Sequence, residues 1–251
     1  ATLMARRSGI PVAHLESGLR SGSFMNPFPE ELIRVLVMRR ADVCFAPDAS
    51  SVGNLRSMGL KARIVETSGN TGLEALRDAL VDVEPASGPV VATLHRVENL
   101  HRSERFDGFL SLLGRLGGRG LAVKFVVHPP TDGVLTRKGG RASVEAMGVA
   151  TSDLVAYDEF VTMLAAAPLV ITDGGSIQEE CARLGVPTVL WRDRTERPDG
   201  VGENVLVSHY DDALVDDLLT DPEHWRRPRR LGDERPAAEV VDVLVEMSGG
   251  A

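Results

Sequence analysis

Only two cysteines, Cys44 and Cys181, occur in the 251 residues. Both sit in apolar surroundings with no second cysteine or histidine at metal-ligand spacing, so they read as buried free thiols, and neither a disulfide nor a zinc or other metal site is expected. Long apolar runs are also missing. None approaches the roughly 18 residues a membrane-spanning helix needs, and no basic start, apolar core and small-residue cleavage site mark a signal peptide. The expected setting is the cytoplasm, with no membrane partner. Positive charge is in deficit: 28 Lys and Arg against 36 Asp and Glu leave a net charge of -8, which argues against a nucleic-acid surface. A small anionic ligand stays open, because a site needs only local positive charge. With 43% hydrophobic and 25% charged residues, the chain fits one large globular domain or two ordinary ones rather than a disordered or collagen-like polymer.

What is present is an alternation. Short β-rich apolar runs lie at Ile10–Leu15, Val43–Ala46, Ala62–Glu66, Pro89–Leu94, Ala122–Val127, Leu154–Tyr157, Leu169–Thr172, Pro187–Trp191 and Val205–Ser208. Patterns of helical period separate most of them, at Glu30–Arg40, Ser50–Met58, Gly72–Val83, Ser103–Leu116, Phe160–Ala166, Gln178–Leu184 and Asp211–Leu219. Strands alternating with helices predict an α/β protein of βαβ units, with parallel sheets covered on both faces. A ligand then belongs beyond the carboxyl ends of the strands.

The stretch VEPASGP, Val83 to Pro89, is linker-like and predicts a boundary between residues 1–84 and a second domain over 88–235. The second part holds enough strand-helix units for a complete doubly wound domain. The first holds about three strands and opens on ATLMARRSG without a helix cap, which reads as a domain whose beginning is missing. The last helical pattern, Ala237–Met247, is expected to pack back on the first domain, making 237–251 part of it. The run HWRRPRRLGDERP before it reads as a solvated connection rather than a phosphate patch.

Four strand-end segments carry polar clusters. The first, PVAHLESGLRSGSFMNPFPEE, holds Glu16, Arg20, Glu30 and Glu31, with Arg34 three residues beyond it. The second, TLHRVEN, sets His95 and Arg96 directly after a strand. The third, VVHPPTD, holds His128. The fourth runs from a strand through Asp173, Gly174, Gly175 and Ser176 into a helix, then to a second strand ending in RDRTERPDG. The two glycines permit close backbone approach, and free N–H groups at the helix start would cradle a phosphate. Glu179 and Glu180 fall on adjacent faces, so one can turn inward to a ribose diol. The competing reading is that Asp173 and Ser176 cap the helix and both glutamates are solvated. His14 is expected to be packed, and His101, His209 and His224 to lie on the surface.

HLESGLRSG, PFPEE, LHRVEN, TDGGSIQEE and RDRTERPDGV, in this order over nearly the whole chain, resemble the non-hydrolysing UDP-N-acetylglucosamine 2-epimerases. The resemblance implies two Rossmann-like doubly wound domains in a glycosyltransferase-B-like arrangement, a UDP-sugar substrate held mainly by the second domain, no cofactor, and a homodimer. It further implies inversion at C2 of UDP-N-acetylglucosamine by elimination of UDP to a 2-acetamidoglucal, then re-addition. That chemistry needs carboxylate acid/base groups and help for the leaving diphosphate. Glu16 and Glu30 match the acid/base positions, and His95 the diphosphate side. His128, the backbone near Phe160, Gly174, Gly175 and Ser176 match uridine- and diphosphate-contacting segments, and Glu180 the ribose-binding carboxylate. Arg192, Thr195, Glu196 and Arg197 match the loop over the sugar and phosphates. Arg20 and Arg34 join the substrate-binding set against the reading of a solvated surface ion pair worth under ~1 kcal/mol.

Two departures stand out. The glycine turn reads D-G-G-S where the family has D-S-G-G, so the phosphate contact either moves to Ser176 or passes to backbone N–H. The family's first domain also extends ahead of Ala1, through a G-D-T segment whose aspartate is a third catalytic carboxylate. As written, the chain is expected to lack that part of the site. Alternative functions are a hydrolysing 2-epimerase or related UDP-sugar enzyme, a glycosyltransferase of the same architecture, and a non-catalytic nucleotide-sugar binder.

Overall fold

The computed structural model describes residues 1–20 and 30–249, with the side chain of Glu30 outside that set. The chain folds into two compact units, one formed by Ala1–Ala75 with Gly232–Ala251 and the other by Leu76–Leu231.

The first unit contains α1 (Thr2–Arg7), β1 (Ala13–His14), α2 (Glu30–Met38), β2 (Val43–Ala46), α3 (Ala49–Ser57), β3 (Arg63–Glu66) and the start of α4 (Gly72–Ala79). Its three strands are parallel in the order β1-β2-β3. β2 is buried at every position, and its alternation sends Cys44 and Ala46 to one face, against Val35, Met38, Val52 and Leu55. Val43 and Phe45 take the other face, where they meet Val240 of the last helix, Pro236–Gly249. That helix is pinned by Glu239 accepting from Ser68 N–H at 2.8 Å and by Glu74 accepting from Ala237 N–H at 2.6 Å.

The second unit contains β4 (Val90–Leu94), α5 (Val97–Leu100), α6 (Ser103–Gly118), β5 (Val123–Val127), α7 (Pro129–Arg137), α8 (Gly140–Glu145), β6 (Val149–Ser152), α9 (Tyr157–Ala166), β7 (Val170–Thr172), α10 (Gly175–Leu184), β8 (Thr188–Leu190), β9 (Val205–Val207), α11 (Asp212–Thr220) and α12 (Pro222–Trp225); the helix Pro236–Gly249 is α13. Six parallel strands run β6-β5-β4-β7-β8-β9, the doubly wound order of dinucleotide-binding folds. Period-two alternation again supplies two cores. Ala92, Leu94, Phe125, Val127 and Ile171 face Phe106, Phe109 and Leu113 of α6 and Val215 and Leu218 of α11. Val91, Val126 and Val170 face Val161 and Leu164 of α9 and Cys181 and Leu184 of α10. Both cysteines are free and buried. No described helix is long and apolar enough to cross a membrane.

Two expectations change, the place of one strand and the boundary between the units. The strand expected at Leu154–Tyr157 lies earlier, at Val149–Ser152, where it pairs in register with Val123–Val126. Leu154 is 51% exposed, and Tyr157 instead opens α9, whose first turn carries Asp158 and Glu159, a favourable place for negative charge at a helix start. VVHPPTD leads into helix α7 with Pro at its first turn, where the missing proline N–H costs nothing. The unit change falls between Ala75 and Leu76, ahead of VEPASGP, because Leu76, Leu80 and Val83 pack on the second unit's core.

Candidate functional site

In an open sheet of this order the crevice lies where the strands to either side run outward, here between β4 and β7, beyond their carboxyl ends. Those ends are Leu94 and Thr172, so the segments that follow are His95-Arg96 and Asp173-Gly174-Gly175. They are tied together. Thr93 and Thr172 hydroxyls meet at 2.7 Å beneath them. The Asp173 carboxylate, 0% exposed, accepts from the N–H of His95 at 3.0 Å, the N–H of Arg96 at 2.9 Å and Asn99 Nδ2 at 2.9 Å. Asn99 is itself fixed, donating to Trp191 O at 3.1 Å and accepting from the Tyr210 hydroxyl at 2.9 Å. His95 stacks on His128, ring centroids 4.7 Å apart. Burial, then the neighbouring His95, push the His128 imidazole below its ordinary value, and Asp173 opposes them.

Asp173 therefore does not cap α10. The N-cap is Gly174, with no side-chain cap bond, which leaves the helix's first N–H groups aimed outward beside an exposed Ser176. Neither glutamate is a solvated bystander. Glu179 is buried against the Arg197 guanidinium. Glu180 is half-buried, accepts from the Tyr157 hydroxyl at 3.0 Å, and burial raises its carboxyl above the ordinary range. Tyr157 was absent from the sequence-derived set, which placed it at the end of an expected strand rather than at the start of α9. The N–H of Phe160 is already used in the first turn of α9, bonded to Ala156 O at 2.9 Å, and its ring packs against the core.

The segment RDRTERPDG is anchored by Gln178, also absent from that set. Gln178 Nε2 donates to Arg197 O and Asp199 O, both at 3.0 Å, and its Oε1 accepts from the Thr195 hydroxyl at 2.8 Å. Arg192, 5% exposed, pairs with Glu196 at 2.8 Å while its Nη1 is buried without a hydrogen-bond partner. That ion pair, with Arg96, holds the Glu196 carboxyl below its ordinary value despite burial. A Cβ at Gly175 would stand 3.2 Å from Arg197 Nε, so the arginine packs closely over the glycine.

In the first unit, Glu16 follows β1 with φ of 53°, a left-handed conformation that costs a non-glycine residue roughly 1–3 kcal/mol and tends to persist at functional positions. Its side chain is exposed and accepts from Asn70 Nδ2 at 2.8 Å. Gly18, two residues on, has φ of 89° and would bring a Cβ to 2.3 Å from Ser51 O, so the turn of ESG requires glycine there. Arg20 and Arg34 do not form a solvated surface pair. Both reach Glu31, which is 0% exposed: Arg20 through Nε, Arg34 through Nη1 at 3.2 Å. Arg34 also donates to Leu19 O at 3.2 Å. Glu31 thus acts as a buried hub. Glu30 is the first residue of α2, and its side chain lies outside the described residues. His14 is half-buried, and burial followed by Arg34 lowers its imidazole while Glu16 opposes them. Among the described residues no group of His, Cys, Asp and Glu is arranged to hold a metal.

A family model described as UDP-N-acetylglucosamine 2-epimerase matches residues 1–245. The UDP-2,3-diacetamido-2,3-dideoxy-D-glucuronate 2-epimerase of Pseudomonas aeruginosa is 32% identical over 87% of this chain and 62% of its own length. The UDP-N-acetylglucosamine 2-epimerase of Bacillus subtilis is 30% identical over 94% of this chain and 66% of its own. The chain therefore spans somewhat under two thirds of the length of these curated relatives. The crystal structure of UDP-GlcNAc 2-epimerase from Neisseria meningitidis bound to UDP-GlcNAc superposes with a TM-score of 0.82 at 26% identity, covering 98% of this chain and 72% of that one. The two parallel α/β units, the polar loops gathered at the β4/β7 switch point and the match over residues 1–245 lead to one assignment: the chain belongs to the UDP-N-acetylglucosamine 2-epimerase family.

Proposed function

We propose that this protein inverts C2 of UDP-N-acetylglucosamine to give UDP-N-acetylmannosamine. The observation that carries the reading is the switch-point cluster of the second unit. There an uncapped helix start, a histidine stack and a half-buried glutamate lie on adjoining segments beyond the strand ends, in a chain whose family bears that activity's name.

In this reading the N–H groups of Gly175 and Ser176 receive the diphosphate, aided by the positive end of α10, while Gly174, whose own N–H donates to the Thr172 hydroxyl at 3.0 Å, lets the backbone approach closely. His128 and the α9 start near Phe160 line the uridine, and Glu180, held by Tyr157, accepts from the ribose diol. Arg192, Thr195, Glu196 and Arg197 close over the sugar and phosphates. In the first unit Glu16 and Glu30 are the acid/base pair, with Arg20 and Arg34 beside them on Glu31. One carboxylate removes the C2 proton as the C1–O bond to UDP breaks, giving the 2-acetamidoglucal and UDP, with His95 offsetting charge on the departing phosphate. Return of the UDP oxygen to C1 and delivery of a proton to the opposite face of C2 complete the inversion. No redox cofactor or metal enters this balance. The working form is a cytoplasmic homodimer, for which light scattering of a monomer would be contrary evidence.

The test is incubation with UDP-N-acetylglucosamine in deuterated water, followed by NMR of the sugar. Deuterium at C2 of the product, with UDP still attached, supports the proposal. Release of free N-acetylmannosamine and UDP would replace it with the hydrolysing reaction, and transfer of the sugar without C2 exchange would sink both.

A further inference from the structure

The ring of His95 is seated by three neighbours within the second unit. Its face stacks on His128 at 4.7 Å and 28°. Its Cε1 edge lies over Gly174, where an added Cβ would come to 3.1 Å. Its Nδ1 stands 3.2 Å from Asp173 Oδ1, buried and without hydrogen-bond alignment. The same carboxylate accepts the N–H of His95 and of Arg96 and the amide of Asn99. Asp173 thus touches both the backbone and the ring of one residue, and acts everywhere as an acceptor.

We propose that Asp173 is a positioning residue that fixes the tautomer of His95, with the ring proton on Nδ1 and Nε2 left as the edge offered to ligand. A neutral ring of the opposite tautomer would set the Nδ1 lone pair against a carboxylate oxygen at 3.2 Å in a buried setting, which is repulsive. A proton on Nδ1 turns that contact into an attraction, and which nitrogen carries the proton follows the partner of the other. Gly174 completes the seat: a Cβ there would crowd the ring at 3.1 Å, closer than an ordinary contact. The proposal rests on the proposed function only for what Nε2 is used for, the diphosphate.

The experiment is long-range proton–nitrogen NMR of the chain labelled with ¹⁵N-histidine, without ligand, at about pH 9, where ordinary imidazoles are neutral. His95 is assigned through the spectrum of His95→Gln. The expected wild-type pattern is the Nδ1–H tautomer for His95; a predominantly Nε2–H pattern overturns the proposal. Asp173→Asn, which presents an amide in place of the carboxylate, is expected to shift His95 towards Nε2–H. Retention of Nδ1–H in a folded Asp173→Asn protein also overturns it. Where that variant does not fold, the wild-type pattern decides alone. Adding UDP to the same wild-type sample reads the other question separately: unmoved His95 signals there would remove His95 from the diphosphate while leaving the tautomer result standing.

Discussion

In the second unit, buried side chains tie several loops to one another. Asp173 binds the loop after β4, Gln178 the loop Arg197–Asp199, and Asn204 the carbonyls of Cys181 and Val186 at 3.0 and 2.8 Å. In the first unit, the candidate base Glu16 is exposed, sits in a strained backbone conformation and accepts from a described amide, that of Asn70. Nearby in sequence, Arg20 and Arg34 are organised around Glu31. The difference suits two tasks. A nucleotide-binding surface gains from donors fixed before the ligand arrives. A carboxylate that must take a proton from one face of a sugar and return one to the other gains from accessibility.

The largest expected effect tests that division directly. Glu16→Gln and Glu30→Gln keep size and hydrogen bonding but cannot accept the proton, so each should lower turnover by roughly a hundredfold or more while the UDP dissociation constant stays put. Glu180→Ala should do the reverse on binding, weakening UDP by about 1–3 kcal/mol through loss of a hydrogen-bonded carboxylate. Calorimetry and steady-state rates on the three variants check both. The comparison breaks if Glu16→Gln loosens UDP, or if Glu180→Ala binds it as tightly as wild type.

The same contrast should appear in stability. Asp173→Ala removes the acceptor of two backbone N–H groups and the Asn99 amide in a fully buried place, and should cost roughly 3 kcal/mol or more. Glu16→Ala removes an exposed contact and should change stability by under about 0.5 kcal/mol. Urea unfolding of both variants gives the ratio. Equal losses would mean that Glu16 is as much a structural residue as Asp173.

The strand ends and their polar clusters were legible because alternation of period two and 3.6 survives in the residues themselves, and because a parallel sheet puts ligands at its carboxyl edge. The roles of Asp173, Gln178 and Glu31 were not. Each looks like a helix cap or a solvated polar group in sequence, and becomes a hub only when the fold brings in its partners, 74 to 78 residues away for Asp173, 17 to 21 for Gln178 and 3 and 11 for Glu31. The strand Val149–Ser152 was misplaced for a similar reason. VATS has weaker β character than the nearby LVAY, and its pairing with β5 decides the matter.

The smallest effect concerns acid. Both units hold a half-buried imidazole shifted downward in the same way: His14 by burial and then Arg34, with Glu16 opposing, and His128 by burial and then His95, with Asp173 opposing. In each case the folded chain refuses a proton that the unfolded chain accepts near the ordinary 6.5. Each histidine therefore contributes stability above that pH that is lost as pH falls through it, until the folded group titrates as well. His14→Asn and His128→Asn should each flatten the fall in unfolding free energy between about pH 7 and pH 5. Because different groups shift the two imidazoles, the double variant should show the sum of the two changes. Urea midpoints at stepped pH measure the slopes. A slope unchanged by His128→Asn but reduced by His14→Asn would show that the histidine stack of the second unit shields its proton affinity from unfolding, and that the two sites differ in electrostatics as well as in rigidity.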